Sequence, residues 1–156
     1  MKPYKDGKYK FVALLPNNDV SIDDYILSLT GDKFINLVKN AENTEVSAGL
    51  PKFKYDFELT MNDILFDMGI KDAFNSADFS KMSDQNLYIG EVKHKTYIAV
   101  DEKGTKAGAV SSVRMDKASA SITGPKSVIL DRPFVYAIVD SSTSLPMFMG
   151  SVMYLK

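Results

Sequence analysis

The stretch VKHKTYIAVDEKGTKAGAVSSVRMDKASASITGPK, Val92 to Lys126, decides how the rest of the chain reads. In its first part Val92, His94, Thr96, Ile98 and Val100 alternate with Lys93, Lys95, Tyr97 and Ala99, the period of two of a strand with one buried face. From Asp101 to Lys126 that pattern stops, and charged residues with Gly104 open a run of small residues with hardly a bulky side chain. Val128 to Leu130 is β-branched and aliphatic again, so the polar run returns to a strand. A connection this far above the usual length of about 4–6 residues points to function or to disorder.

Composition supplies the folded body that anchors both ends of that connection. The chain has 156 residues, 45% of them hydrophobic, which is enough for one domain with a core. Its 19 basic and 20 acidic residues leave a net charge of −1, so no global field draws it to nucleic acid or to an anionic membrane. No apolar run approaches the roughly 20 residues of a membrane span, and the N-terminus lacks a signal-peptide core, which in a complete chain reads as cytoplasmic. With no cysteine, disulfides, cysteine–zinc sites and a cysteine nucleophile are excluded.

Outward from the central stretch, the first half of the chain is where helices are expected. Tyr9 to Leu15 is a short strand ended by the turn cluster Pro16-Asn17-Asn18, and Lys5-Asp6-Gly7 before it suggests a pairing strand upstream of Met1. Ser21 caps a helix carrying Ile22, Tyr25, Ile26 and Leu29, and a second helix from about Asp32 to Asn40 sets Phe34, Leu37 and Val38 on one face. Glu45 to Tyr55 reads as one strand with an irregularity at Pro51. Thr60 caps a helix bearing Ile64, Leu65 and Met68, stopped by Gly69, and Asp72 to Asn86 is a connector around Phe74 and Phe79. Pro133 to Asp140 is nearly all apolar, as a strand covered on both faces would be, and Met147 to Tyr154 completes a hairpin with it. The fold class is α+β, with mixed, mostly antiparallel sheets and a few short helices.

Catalytic chemistry has little to work with. His94 is the only histidine, and on a strand face with Val92 and Ile98 it reads as a hydrogen-bonded core residue. The aspartates show no metal-loop spacing, so no metal site is expected, and no glycine motif cradles a phosphate or calls for a cofactor. Ser111, Ser112, Ser119 and Ser121 have no base near them in sequence. The chain does not read as an enzyme.

What remains distinctive is a run of motifs in order: Leu50-Pro51-Lys52-Phe53, then Gly69-Ile70-Lys71-Asp72-Ala73-Phe74 with Ala77-Asp78-Phe79-Ser80, then Val92-Lys93-His94-Lys95. They continue through Asp101-Glu102-Lys103-Gly104-Thr105-Lys106-Ala107 and Arg132-Pro133-Phe134 to Phe148-Met149-Gly150. In that order, and with Tyr4 to Pro16 also fitting, the chain resembles the C-terminal portion of the serpin family of protease inhibitors. Residues 1–156 are then expected to be a single partial domain, the N-terminal half of the family's chain being absent.

That resemblance implies a suicide-substrate inhibitor, in which the loop at about 101–126 baits a serine or cysteine protease and inserts into the main sheet after cleavage. Glu102, Gly104, Thr105, Ala107, Gly108 and Ala109 would be the hinge, and no proline from Gly104 to Ala118 blocks pairing. Lys106 departs from the acid usual at its place. Counting from Glu102 puts the scissile bond at Ala118–Ser119, which suits a shallow, elastase-like pocket. Arg114 and Lys117 are trypsin-like rivals, and counting back from Pro133 lands near Ile122. His94, Pro133 and Phe134 are the structural positions of the motif. The expected partners are the target protease, the missing N-terminal half, and a second copy through open sheet edges; no nucleic acid, membrane or cofactor is expected. The fragment alone is expected to be non-inhibitory, and an extracellular location follows from the family's usual targets. A non-inhibitory binding or structural module is the alternative, favoured by Lys106 and by a connection longer than usual in the family.

Overall fold

The structure is a computed structural model that describes residues 1–44, 46–101, 104–106 and 126–155, with the backbone alone at 104–106. In chain order the elements are β1 (Lys2–Pro3), β2 (Tyr9–Leu14), α1 (Ile22–Ser28), α2 (Gly31–Lys39), β3 (Val46–Gly49), β4 (Phe53–Thr60), α3 (Asn62–Asp67), a 3₁₀ turn (Asp72–Phe74), β5 (Lys93–Asp101), β6 (Gly104–Lys106), β7 (Lys126–Ile129), β8 (Phe134–Asp140) and β9 (Pro146–Val152). They fall into two units, Met1–Lys52 with Val100–Lys156, and Phe53–Ala99. Among the described residues no helix is long and apolar enough to cross a membrane.

The first unit is built on β8. This strand is antiparallel to β2 on one edge, Phe11 opposite Ile138, and to β9 on the other, Tyr136 opposite Gly150. Phe134, Val135, Tyr136, Ala137 and Val139 are all buried, so the nearly unbroken apolar run is what a strand with two dry faces requires. On one face Val12, Ala137 and Val139 pack against Phe34 and Val38 of α2, with Leu14, Leu29 and Ile35 at the margin. The four-residue step from Phe34 to Val38 follows the helical period. Leu37 stays exposed at 43%, so it is not part of the inward stripe expected for it. Both helices start on side-chain caps, Ser21 Oγ accepting from Asp24 N–H at 3.1 Å and Thr30 Oγ1 from Lys33 N–H at 3.2 Å.

The other face carries an aromatic column. Tyr136 stacks on Phe11 at 6.4 Å and on Phe148 at 6.3 Å, because both neighbours lie diagonally across the ladder. The tyrosine ring folds over Gly150: a Cβ there would sit 2.5 Å from its Oη and 2.7 Å from Cζ. The strand order is β1-β2-β8-β9. β1 supplies the pairing strand that the Lys5-Asp6-Gly7 turn demands, Lys2 opposite Phe11 and Pro3 opposite Lys10, so that partner lies within the chain rather than before Met1. Gly7, at φ +69°, takes the left-handed position of the turn.

The β8–β9 turn is organised by one carboxylate. Asp140 Oδ1 accepts from Ser142 N–H at 3.0 Å, Thr143 N–H at 2.9 Å, and both hydroxyls. The Ser142 hydroxyl, then the Thr143 amide and hydroxyl, hold its pKa down from 3.8 to about 2. A separate two-stranded sheet pairs β3 with β7 in parallel, Ala48 opposite Val128, and every side chain in it is exposed.

The expected strand from Glu45 to Tyr55 is two strands, β3 in the first unit and β4 in the second. β3 ends at Gly49, β4 begins at Phe53, and they belong to different sheets because Leu50-Pro51-Lys52 intervenes. Thr60 is the last residue of β4 rather than a helix cap, and Met61 precedes α3 without a side-chain cap bond. Gly69 ends this helical segment at φ +96°, as expected. Phe74 and Phe79 are half-buried in the connector.

Two outcomes follow. Gly150→Ala must displace a ring wedged between two others and is expected to cost about 1–3 kcal/mol, read by urea unfolding. Asp140→Ala is expected to lower the thermal midpoint fully above about pH 4; the difference shrinks as pH falls through about 2, since a depressed folded-state pKa stabilises only while the group is ionised.

Candidate functional site

The polar connection hangs from anchors at both ends. On the upstream side is β5, where Ile98 and Val100 are buried while Lys93, Lys95 and Tyr97 are exposed, the alternation read from the sequence. Lys95 Nζ pairs with Glu58 Oε2 at 3.0 Å, and Lys54 Nζ lies 5.5 Å from the Tyr97 ring centre. These contacts put Lys54, Glu58, Lys95 and Tyr97 on one face. By strand alternation Phe53, Tyr55, Phe57 and Leu59 of β4 then share the opposite face with His94, Thr96, Ile98 and Val100.

That second face is apolar and only partly covered. Phe53 and Ile98 are buried, yet Tyr55 is 36% exposed, Phe57 56% and Leu59 37%. His94, expected as a hydrogen-bonded core residue, is exposed. It sits toward the Leu59 end of the face, which the described residues of this unit cover only in part. Position on an apolar face was legible; burial depended on a covering layer that alternation alone cannot supply.

β6 places Gly104, Thr105 and Lys106 in extended backbone, and the sheet order is β4-β5-β6. Glu102, Ala107, Gly108, Ala109, Arg114, Lys117, Ala118, Ser119 and Ile122 lie outside the described residues. On the downstream side β7 runs into Leu130, whose N–H donates to the Gly49 carbonyl at 2.8 Å and whose side chain is buried. Arg132 then fixes the approach to β8. Its Nη2 donates to the buried Pro16 carbonyl at 2.7 Å and Nη1 reaches Asp131 at 3.4 Å. Pro133 is half-buried and Phe134 fully buried. The reason for Arg-Pro-Phe is thereby physical: a cation holds the Pro16 corner, and the phenylalanine seals the core one step later.

Sequence reading missed Asn62. Its amide Nδ2 donates to the Gly90 carbonyl at 2.9 Å and its Oδ1 accepts from Val92 N–H at 2.8 Å. Nothing local signals this, because the partners are 28 and 30 residues away. Among the described residues no group of three or more His, Asp or Glu gathers as metal ligands would.

With an α+β body, a two-faced β8 and a long polar connection between β5 and β7 in place, the match to known proteins has a structural setting. The chain belongs to the serpin family, serpin (serine protease inhibitor), which matches residues 2–155. The native state of the thermophilic serpin tengpin is 53% identical with a TM-score of 0.81 over 98% of this chain and 41% of its own. A loop C-sheet serpin polymer is 48% identical at TM-score 0.69, over 99% of this chain and 40% of its own. Intracellular coagulation inhibitor 2 of Tachypleus tridentatus is 34% identical over 152 residues, 96% of this chain and 37% of that protein. The chain thus spans about two fifths of the length of these relatives.

Arg132→Ala is expected to cost about 1.5–3 kcal/mol, the range for a hydrogen bond from a charged group, with the Pro16 carbonyl left unpaired. Arg132→Lys, lacking the fork, should recover only part of that in the same denaturation measurement.

Proposed function

We propose that these residues form the bait-bearing portion of a serine-type protease inhibitor that traps its target by loop insertion in the full-length form. The supporting observation is family membership over residues 2–155 together with a connection of small residues between β5 and β7. Residues 1–156 act as one partial domain, Glu102, Gly104, Thr105, Ala107, Gly108 and Ala109 as the hinge, and Ala118–Ser119 as the scissile bond, with Arg114, Lys117 and Ile122 as rival positions. A small residue before the cut suits an elastase-like protease. The chain is not itself an enzyme, and its target is a secreted protease met outside the cell.

Alone, this portion is non-inhibitory, because insertion needs strands that it does not contain. Its physical partners are the N-terminal half of a serpin and, through open sheet edges, a second copy. The partly exposed apolar side chains Phe57 and Leu59 and the polymer formed by a 48% identical serpin support that reading.

Intact-mass analysis of the complete protein with an elastase-like and a trypsin-like protease is the test. A covalent adduct with a released peptide beginning at Ser119 is expected; clean cleavage without an adduct would make this a non-inhibitory module. Thr105→Arg is expected to turn inhibitor into substrate, since a long cation is not buried without a partner as a strand enters a sheet. Unchanged trapping by that variant would rule insertion out.

A further inference from the structure

We propose that Asn62 is a positioning residue for loop insertion, a role that rests on the inhibitory reading above. β4 stops at Thr60 and α3 starts at Asn62, so β5 loses its backbone partner at its own beginning. The last backbone bond is Met61 N–H to the Val92 carbonyl at 2.8 Å. Beyond it the Asn62 carboxamide takes the place of a strand, donating to Gly90 at 2.9 Å and accepting from Val92 at 2.8 Å. A carboxamide carries donor and acceptor side by side as a peptide group does, so it satisfies both polar groups at once. Ile89 N–H is held in turn by the Ala73 carbonyl at 2.9 Å. The segment leading into β5 is thus tied down at the end of the strand remote from Gly104–Lys106.

This matters for a strand that must accept a new neighbour. Pairing with an incoming segment gains its full set of backbone bonds only where β5 is already seated and straight. If the start of β5 frays, the last part of an inserting loop meets a mobile edge and insertion slows. Slower insertion leaves more time for the acyl-enzyme to hydrolyse. Asn62 therefore acts on the partition between trapping and turnover, through β5, without touching the protease.

The experiment compares wild type, Asn62→Ala, and Val38→Ala as a control that loosens the packing of α2 on Val12, Ala137 and Val139, all in the full-length chain carrying these residues. Protease titration gives the stoichiometry of inhibition, thermal unfolding the midpoint, and hydrogen exchange the protection of the Val92 amide. The stoichiometry equals one plus the ratio of the hydrolysis rate to the insertion rate, so expected for Asn62→Ala is faster Val92 exchange and an excess of stoichiometry over one raised about twofold or more, as an insertion rate lowered by that factor would give, with Val38→Ala losing midpoint but keeping its stoichiometry. A stoichiometry unchanged by Asn62→Ala, or raised equally by Val38→Ala, overturns the positioning role. Absence of any covalent adduct in wild type overturns the inhibitory reading first, and the positioning role with it.

Discussion

Everything in the larger unit depends on β8 being hydrogen-bonded along both edges and dry on both faces. A buried strand leaves no backbone group to water, so β2 and β9 must both pair with it for its burial to be tolerated. Its side chains then serve two layers at once: Ala137 and Val139 meet α2, while Tyr136 joins the aromatic column of Phe11 and Phe148. Fully burying a residue such as Val139 or Phe134 contributes about 1.5–3 kcal/mol. That concentration of burial lets a short strand fix the place of Arg132 and Leu130, which end the long polar connection.

The second unit is organised differently. One face of β4 and β5 is solvated and carries the Lys95–Glu58 pair and a cation over Tyr97, contacts worth little individually at the surface. The other is an aromatic and aliphatic face that the unit covers only in part. The two-stranded β3–β7 sheet is likewise exposed on both sides, unlike the covered parallel sheets of complete domains. Completed and uncompleted layers thus coexist in one chain that spans about two fifths of its relatives' length.

Local polar chemistry closes each unit where ladders end. Asp140 gathers four donors at the β8–β9 turn, while Asn62 stands in for a strand beside β5. The first works over three residues and the second over thirty. Only the first kind has a signature short enough to read in a sequence.

Period and turn chemistry were sufficient for β2, β5, β8 and β9, for the caps at Ser21 and at Gly69, and for the α+β class, because each rests on neighbours within a few positions. They were also sufficient to place a strand on either side of the polar stretch, β5 ending at Asp101 and β7 beginning at Lys126. The family followed from motif order along the whole chain. Tertiary structure alone decided that β3 and β4 part into separate sheets at Pro51, that Leu37 faces water while Val38 does not, and that His94 stays exposed. It also decided that Asn62 turns to Gly90 and Val92 rather than to its own helix. In each case the outcome is set by which surface comes to lie against a residue, a fact that belongs to packing between distant segments and is not encoded in any window of adjacent positions.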